Sequence, residues 1–257
     1  MKFSKANAKL RRLESVRGIK PYLKGGRKVY SFDLLSGHNC PYAKDCKSMA
    51  VPRPGGSGLM IQDGPNTDFR CFSASQEAFY KPVYNLRKQN AEEILAIAAL
   101  KGSQGVADAL EAALPHNAGV VRIHVGGDFK IRSYFEGWIE LAKRRPDILF
   151  YAYTKSLPFW IMNSDKLNSL PNFVLTASKG GMKDNLIEQY NLRQAVVVAS
   201  KSEARKLGLQ IDHDDSHAAD PSKRNTSFAL LIHGLQPSGS RWGKAVKALK
   251  GVGSYTR

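Results

Sequence analysis

Six short segments alternate or run apolar along this chain of 257 residues, each bounded by turn residues. They lie at 29–35, 120–125, 148–154, 173–177, 195–199 and 228–232, and they predict six strands. Helical periodicity fills the intervals. Ile131, Tyr134, Phe135, Trp138, Ile139 and Ala142 fall on one face of a predicted helix. Weaker helices are predicted over 158–170 and 183–190, with Ser202 capping another that ends at Leu207 and a terminal helix from Arg241. Ahead of the second strand, residues 76–113 read as helix broken near Gly102–Gly105. Ser73-Ala74-Ser75-Gln76-Glu77 reads as its start, with a serine cap and acid in the first turn.

Strands that alternate with helices at short spacing predict a parallel sheet with helices outside. Six βα units fall short of the eight that close a barrel. The expectation is therefore an α/β fold, an open or partial TIM-like barrel of about six parallel βα units. A doubly wound open sheet is the alternative. In both, ligands bind at the C-terminal ends of the strands. Residues 29–257 form one predicted domain behind a basic N-terminal arm, 1–28.

The unusual features of the sequence follow the strands in turn. The long loop 36–75 comes after the first and holds every cysteine in the chain: Cys40, Cys46 and Cys71. Gly126-Gly127-Asp128 follows the second strand, Thr154-Lys155-Ser156 the third and Ser178-Lys179-Gly180-Gly181 the fourth. Ser200-Lys201 and His233-Gly234 follow the last two. On the second strand, parity places Val121, Ile123 and Val125 toward helices and Arg122, His124 and Asp128 toward the interior.

Three cysteines gathered in one glycine- and proline-rich loop have the character of ligands to one soft metal centre. A [4Fe-4S] cluster on three thiolates leaves one iron for a further ligand, with His38, His124 or Asp128 as candidates. Zinc on the same thiolates with His38 is a second reading, and three small buried hydrophobes a third. A disulfide framework fits an odd count poorly. Asp212-His213-Asp214-Asp215-Ser216-His217 offers acid–base or metal-binding groups, or is simply a polar connection.

Charge changes the picture of partners. The net charge is +17, and residues 1–28 carry ten Lys or Arg against Glu14 alone. Arg241, Lys244, Lys247 and Lys250 add a second basic patch near the C-terminus. Nucleic acid or another polyanion is the partner such a surface favours, and a solvated basic exterior is the plain alternative. No apolar run approaches the ~20 residues of a membrane span, so no membrane role is expected. The absence of a signal-type segment predicts a cytoplasmic protein.

A cluster loop, a Gly-Gly-acid turn and six βα units together resemble a radical S-adenosylmethionine enzyme core. That resemblance implies a [4Fe-4S] cluster on Cys40, Cys46 and Cys71, and S-adenosylmethionine contacted by Gly126, Gly127 and Asp128. The cysteines here are spaced more widely than in that family, and Asp128 stands at its glutamate position. A second resemblance covers nearly the whole chain. Ser36-Gly37-His38-Asn39-Cys40-Pro41, Arg70-Cys71-Phe72-Ser73-Ala74-Ser75, the segment 150–156, Asp214-Asp215-Ser216-His217 and the segment 233–237 are similar to bacteriophage proteins called gene product 88. It implies a viral protein in the cytoplasm of the infected host or in the virion.

Overall fold

The protein is described from a computed structural model, over residues 1–249; the Lys250 of the second basic patch lies outside the described residues. A short strand β1 (Ser4–Lys5) and two 3-10 segments (Leu10–Ser15, Lys20–Gly26) precede β2 (Lys28–Phe32). The hairpin β3 (Met49–Pro52) and β4 (Leu59–Gln62) follows, then helices α1 (Phe72–Phe79) and α2 (Lys81–Ala113). Next come β5 (Ala118–Ile123), α3 (Arg132–Arg144), β6 (Leu149–Thr154), α4 (Leu157–Met162) and α5 (Ser164–Asn168). The chain continues through β7 (Phe173–Ser178), α6 (Asn185–Gln189), β8 (Gln194–Val198) and α7 (Lys201–Lys206). It ends with α8 (Ser216–Ala219), β9 (Phe228–Leu231) and α9 (Arg241–Ala248).

Among the described residues, seven strands form one sheet in the order β1-β2-β5-β6-β7-β8-β9. The β1–β2 pair is antiparallel and every later pair is parallel. This is a mixed α/β fold on a mostly parallel sheet. Strand order follows the chain without turning back, which rules out the doubly wound arrangement and its reversal point. The edge strands β1 and β9 do not pair with each other, and no closed barrel is seen among the described residues.

Alternate side chains on each strand enter different cores. Val121, Ile123, Phe150 and Ala152 pack with Ile94, Leu110, Phe135 and Trp138 of α2 and α3. Val120, Leu149, Tyr151 and Val174 point the other way, against Leu10, Leu13, Ile19 and the Ala218–Ala219 pair of α8. The segment expected as a basic arm therefore carries four core residues, Phe3 on the first side and Leu10, Leu13 and Ile19 on the second. Each contributes about 1.5–3 kcal/mol by leaving water, which fixes the segment to the sheet.

Local differences from the sequence reading have local causes. The cysteine loop is not irregular throughout, because β3 and β4 pair across the Pro52–Gly58 turn region. Gly102 takes φ 61 and bends α2 where a break was expected. Ser73 does not cap α1: Cys71 holds the cap position, and Ser73 Oγ accepts from Arg87 Nη1 at 2.6 Å. Ser200, rather than Ser202, caps α7 by accepting from the Glu203 N–H. The parity reading ends at Ile123, because His124 adopts φ 68. That turn sends Val125 to the second core, while the His124 ring packs on Phe129 and Tyr134 beside α3.

Candidate functional site

The loop bearing the cysteines is tied down at the ends of three different strands. After β5, the Asp128 N–H donates to the Asn39 carbonyl beside Cys40 (3.1 Å). After β7, Gly180 accepts from the Asp45 N–H (3.0 Å), and the Met182 N–H donates to Tyr42 (2.9 Å). After β9, Gln236 makes a reciprocal pair with the backbone of Arg70, both bonds 2.9 Å. Buried Ser48 links the remaining ends: its N–H donates to the Cys46 carbonyl, and its hydroxyl accepts from the Cys71 N–H (2.9 Å). Sequence reasoning missed Ser48, whose role depends on residues on both sides of the hairpin.

These ties bring Cys40, Cys46 and Cys71 to the wall of one cavity of about 840 Å³. Gly126, Gly127, Asp128, Lys155, Ser178, Lys179 and Gly180 line the same cavity. It opens beside Phe79 and Tyr80, both largely exposed. The cysteines are free thiols. Burial pushes the Cys40 thiol well above its ordinary value, with Asp128, Cys71 and Cys46 adding to the rise. Burial, then Cys46, lifts Cys71 to about 11, although the N–H groups of Ser73 and Ala74 face its sulfur and favour the thiolate. Thiols held protonated in this way are poor nucleophiles. Burial disfavours the Lys155 ammonium, yet Cys46, Asp128, Cys40 and Cys71 outweigh it and hold the pKa above the usual lysine value. Lys155 Nζ donates to Ser178 Oγ at 2.6 Å.

Among the described residues, no group of three or more His, Cys, Asp or Glu is arranged to hold a metal ion. His38 contributes nothing to the cavity wall, and its Nε2 meets the Ala50 carbonyl at 3.1 Å. Asp128 spends both carboxylate oxygens within the protein. Oδ1 accepts from Thr154 Oγ1 (2.6 Å) and the Phe129 N–H, and Oδ2 from the Lys155 N–H (2.8 Å). Burial raises its pKa against those bonds. His124 reaches the wall with Nε2 at 2.9 Å from the Tyr134 hydroxyl and a buried Nδ1 that has no partner. Burial, with repulsion from Arg122 and Arg87, lowers its pKa to about 3, so the ring is neutral.

The glycines have neighbours that leave no room for a side chain. A Cβ on Gly126 would stand 2.4 Å from Ser73 Oγ and 2.6 Å from Arg87 Nη1. Gly127 takes φ 86, and a Cβ there would stand 2.7 Å from the Leu34 Cβ. The approaching groups are the protein's own. Behind this turn lies a buried ion pair, Arg87–Glu77 at 2.7 Å, that periodicity did not single out.

The polar stretch 212–217 crosses the face of the sheet opposite α2 and α3. Asp212 accepts from the N–H groups of Asp214, His217 and Ala218, as a connecting loop requires. Asp215 reaches the cavity floor, where it meets Arg122, Lys9 Nζ (2.6 Å) and the Tyr151 hydroxyl (3.1 Å).

No helix among the described residues is long and apolar enough to cross a membrane. Neither a curated protein nor a solved structure matches the chain. Residues 1–250 match the phage family described as gene product 88, and with that span of agreement the chain belongs to the gene product 88 family.

Proposed function

We propose that this phage protein binds a [4Fe-4S] cluster on Cys40, Cys46 and Cys71, at the strand ends of a sheet read as an open segment of a TIM-like barrel. The observation that carries the reading is the convergence of the chain's three cysteines, from both ends of one long loop, on a single cavity. Thiolates around one zinc ion crowd at about 2.3 Å from the metal. A four-iron cluster offers a separate iron to each of three thiolates, so its ligands need not crowd a single ion. Lys155 would offset the negative charge of a thiolate-bound cluster, and the Ser73 and Ala74 N–H groups would donate to a ligating sulfur, two contacts that tune such centres. His124 Nδ1 is the unengaged candidate for the fourth iron. The cluster would supply electron transfer or Lewis-acid chemistry beside a ligand cavity. The fit to S-adenosylmethionine through Asp128 is poorer, because three protein donors already occupy its carboxylate and leave a single acceptor position, on Oδ2.

Protein purified without air is expected to be brown and to carry about four irons and four sulfides per chain. Cys40→Ser, Cys46→Ser or Cys71→Ser should each lose most of that iron. A colourless preparation with one zinc per chain would overturn the reading.

A second reading rests on the surface. Lys2, Lys5, Arg11, Arg12, Arg17, Lys20, Lys24 and Lys28 are exposed, while Leu10, Leu13 and Ile19 of the same segment are buried. Arg11, Arg12, Arg17 and Lys20 thus project from a stretch that its buried residues fix against the sheet, a basic surface suited to nucleic acid. Binding to DNA or RNA at about 50 mM salt should be independent of sequence and fall steeply as salt rises. Truncating residues 1–28 would also remove core, so charge removal is the cleaner test. Arg11→Gln with Arg12→Gln and Lys20→Gln should reduce the log–log salt slope by about 2–3. No retention by the unaltered protein would leave the face as solvated exterior.

A further inference from the structure

We propose that the cavity floor is a subsite for an oxyanion, a phosphate or carboxylate, carried on a flat apolar body about 10 Å long. The polar end is built from β5 and β6. Arg122, 8% exposed, and Lys9 both pair with Asp215 at the cavity wall. Its Nη1 donates to Asp215, but its Nε is buried with no hydrogen-bond partner. The guanidinium lies 5.2 Å from the centre of the Tyr153 ring, and the Tyr153 hydroxyl is likewise buried without a partner. Buried polar atoms without partners are uncommon in folded proteins. Here both can donate, and Arg122 Nε can do nothing else, so the complementary group is an acceptor. A planar oxyanion matches a guanidinium beside a hydroxyl.

Charges behind the floor are already committed. Asp212 accepts from three backbone N–H groups, and Asp33 accepts from Ser31 Oγ and the Val125 N–H. Arg193 donates to the carbonyls of Leu175, His217 and Ala218. None of the three lines the cavity.

The apolar end comes from β8, β9 and their neighbours. Val197, Leu230 and Ile232 line the cavity there, with Phe69 and Trp242 packed edge to face at 5.2 Å. β6 and β8 are separated by β7, and two strand spacings make about 10 Å. That span sets the length of the ligand. Aromatic and aliphatic walls with a few convergent polar groups are the usual composition of small-molecule sites.

This subsite shares the cavity with the proposed cluster but does not depend on iron. The test is calorimetric titration of the full chain, purified without air, with 1-naphthyl phosphate, 1-naphthoate, inorganic phosphate and 1-naphthol. At least one of the two aromatic anions should bind tenfold or more tightly than both 1-naphthol and inorganic phosphate. Which of them binds tighter identifies the oxyanion. Tyr153→Phe should weaken the anion by about tenfold, the size of one hydrogen bond to a charged group, and leave 1-naphthol unchanged. Because that variant deletes a hydroxyl without a partner, its melting temperature should not fall. Arg122→Gln should weaken the anion further. Equal binding of 1-naphthol, no binding of either aromatic anion, or full affinity in Tyr153→Phe would each overturn the subsite. Repeating the titration on Cys40→Ser separates the two readings, since an anion site that survives iron loss stands without the cluster.

Discussion

Glu77→Ala is expected to cost about 3–5 kcal/mol of folding stability, among the largest losses from a single side chain in this protein. Glu77 is fully buried and accepts from the Ser36 N–H (3.0 Å), the Ser36 hydroxyl (2.9 Å) and Arg87 Nη1 (2.7 Å). One carboxylate therefore fastens three parts of the chain: α1, α2 and the segment that leads from β2 to Cys40. Its removal leaves the Arg87 guanidinium buried beside Ser73 without its counter-charge, and leaves the Ser36 N–H without an acceptor. Breaking a buried pair costs far more than the pair contributes against an apolar substitute. Typical domains hold only about 5–15 kcal/mol in total, so the variant should sit near the edge of folding. Guanidinium denaturation measures the loss as a fall in midpoint at constant slope. Replacing the pair together, Glu77→Leu with Arg87→Met, should recover a good part of it. A loss below about 1 kcal/mol for Glu77→Ala would mean that the pair is not closed off from water.

Much of the fold is legible in the sequence, because burial on two faces leaves a signal at short range. The six long strands fall within a few residues of their apolar runs, and Trp138 and Phe135 mark the face of α3 that meets the sheet. What periodicity does not carry is where a strand stops being a strand. His124 turns with a positive φ that nothing in its residue type demands, and the reading of Val125 fails one residue later. The N-terminal segment misleads for a different reason. Its charge is dense enough to hide Phe3, Leu10, Leu13 and Ile19, whose burial depends on elements more than a hundred residues away. At the site, the cysteines announce themselves by type and spacing. Their positioning by Asn39, Ser48 and Gln236 is invisible, since each bond joins loops whose meeting is a product of the sheet order. Gly126 and Gly127 attract notice as a ligand turn, whereas the atoms pressed against them belong to Ser73, Arg87 and Leu34.

Asp215→Asn should abolish an acid-sensitive share of stability and expose the two cations that the carboxylate holds. Asp215 is wholly buried, at φ 66, between Arg122, Lys9 and the Tyr151 hydroxyl. Burial alone would raise its pKa, but attraction to Arg122 and Lys9 outweighs burial and brings it down to about 2. In the unfolded chain the same carboxyl titrates near its ordinary 3.8. The sign follows from the depression. The folded state binds its proton less readily, so the contribution is complete above pH ~4 and is lost as pH falls through about 2. Nearly two units correspond to about 2 kcal/mol. At neutral pH the variant should lose more than that, because Arg122 and Lys9 then face each other across an amide. A loss of about 3–5 kcal/mol is the usual size for a buried charge deprived of its partner. Denaturation of both proteins between pH 7 and pH 2 gives the comparison. The unaltered chain should approach the variant in stability as pH falls, and the gap should be widest at neutrality. A gap that stays constant from pH 7 to pH 2 would show that Asp215 acts there through packing and not through its charge.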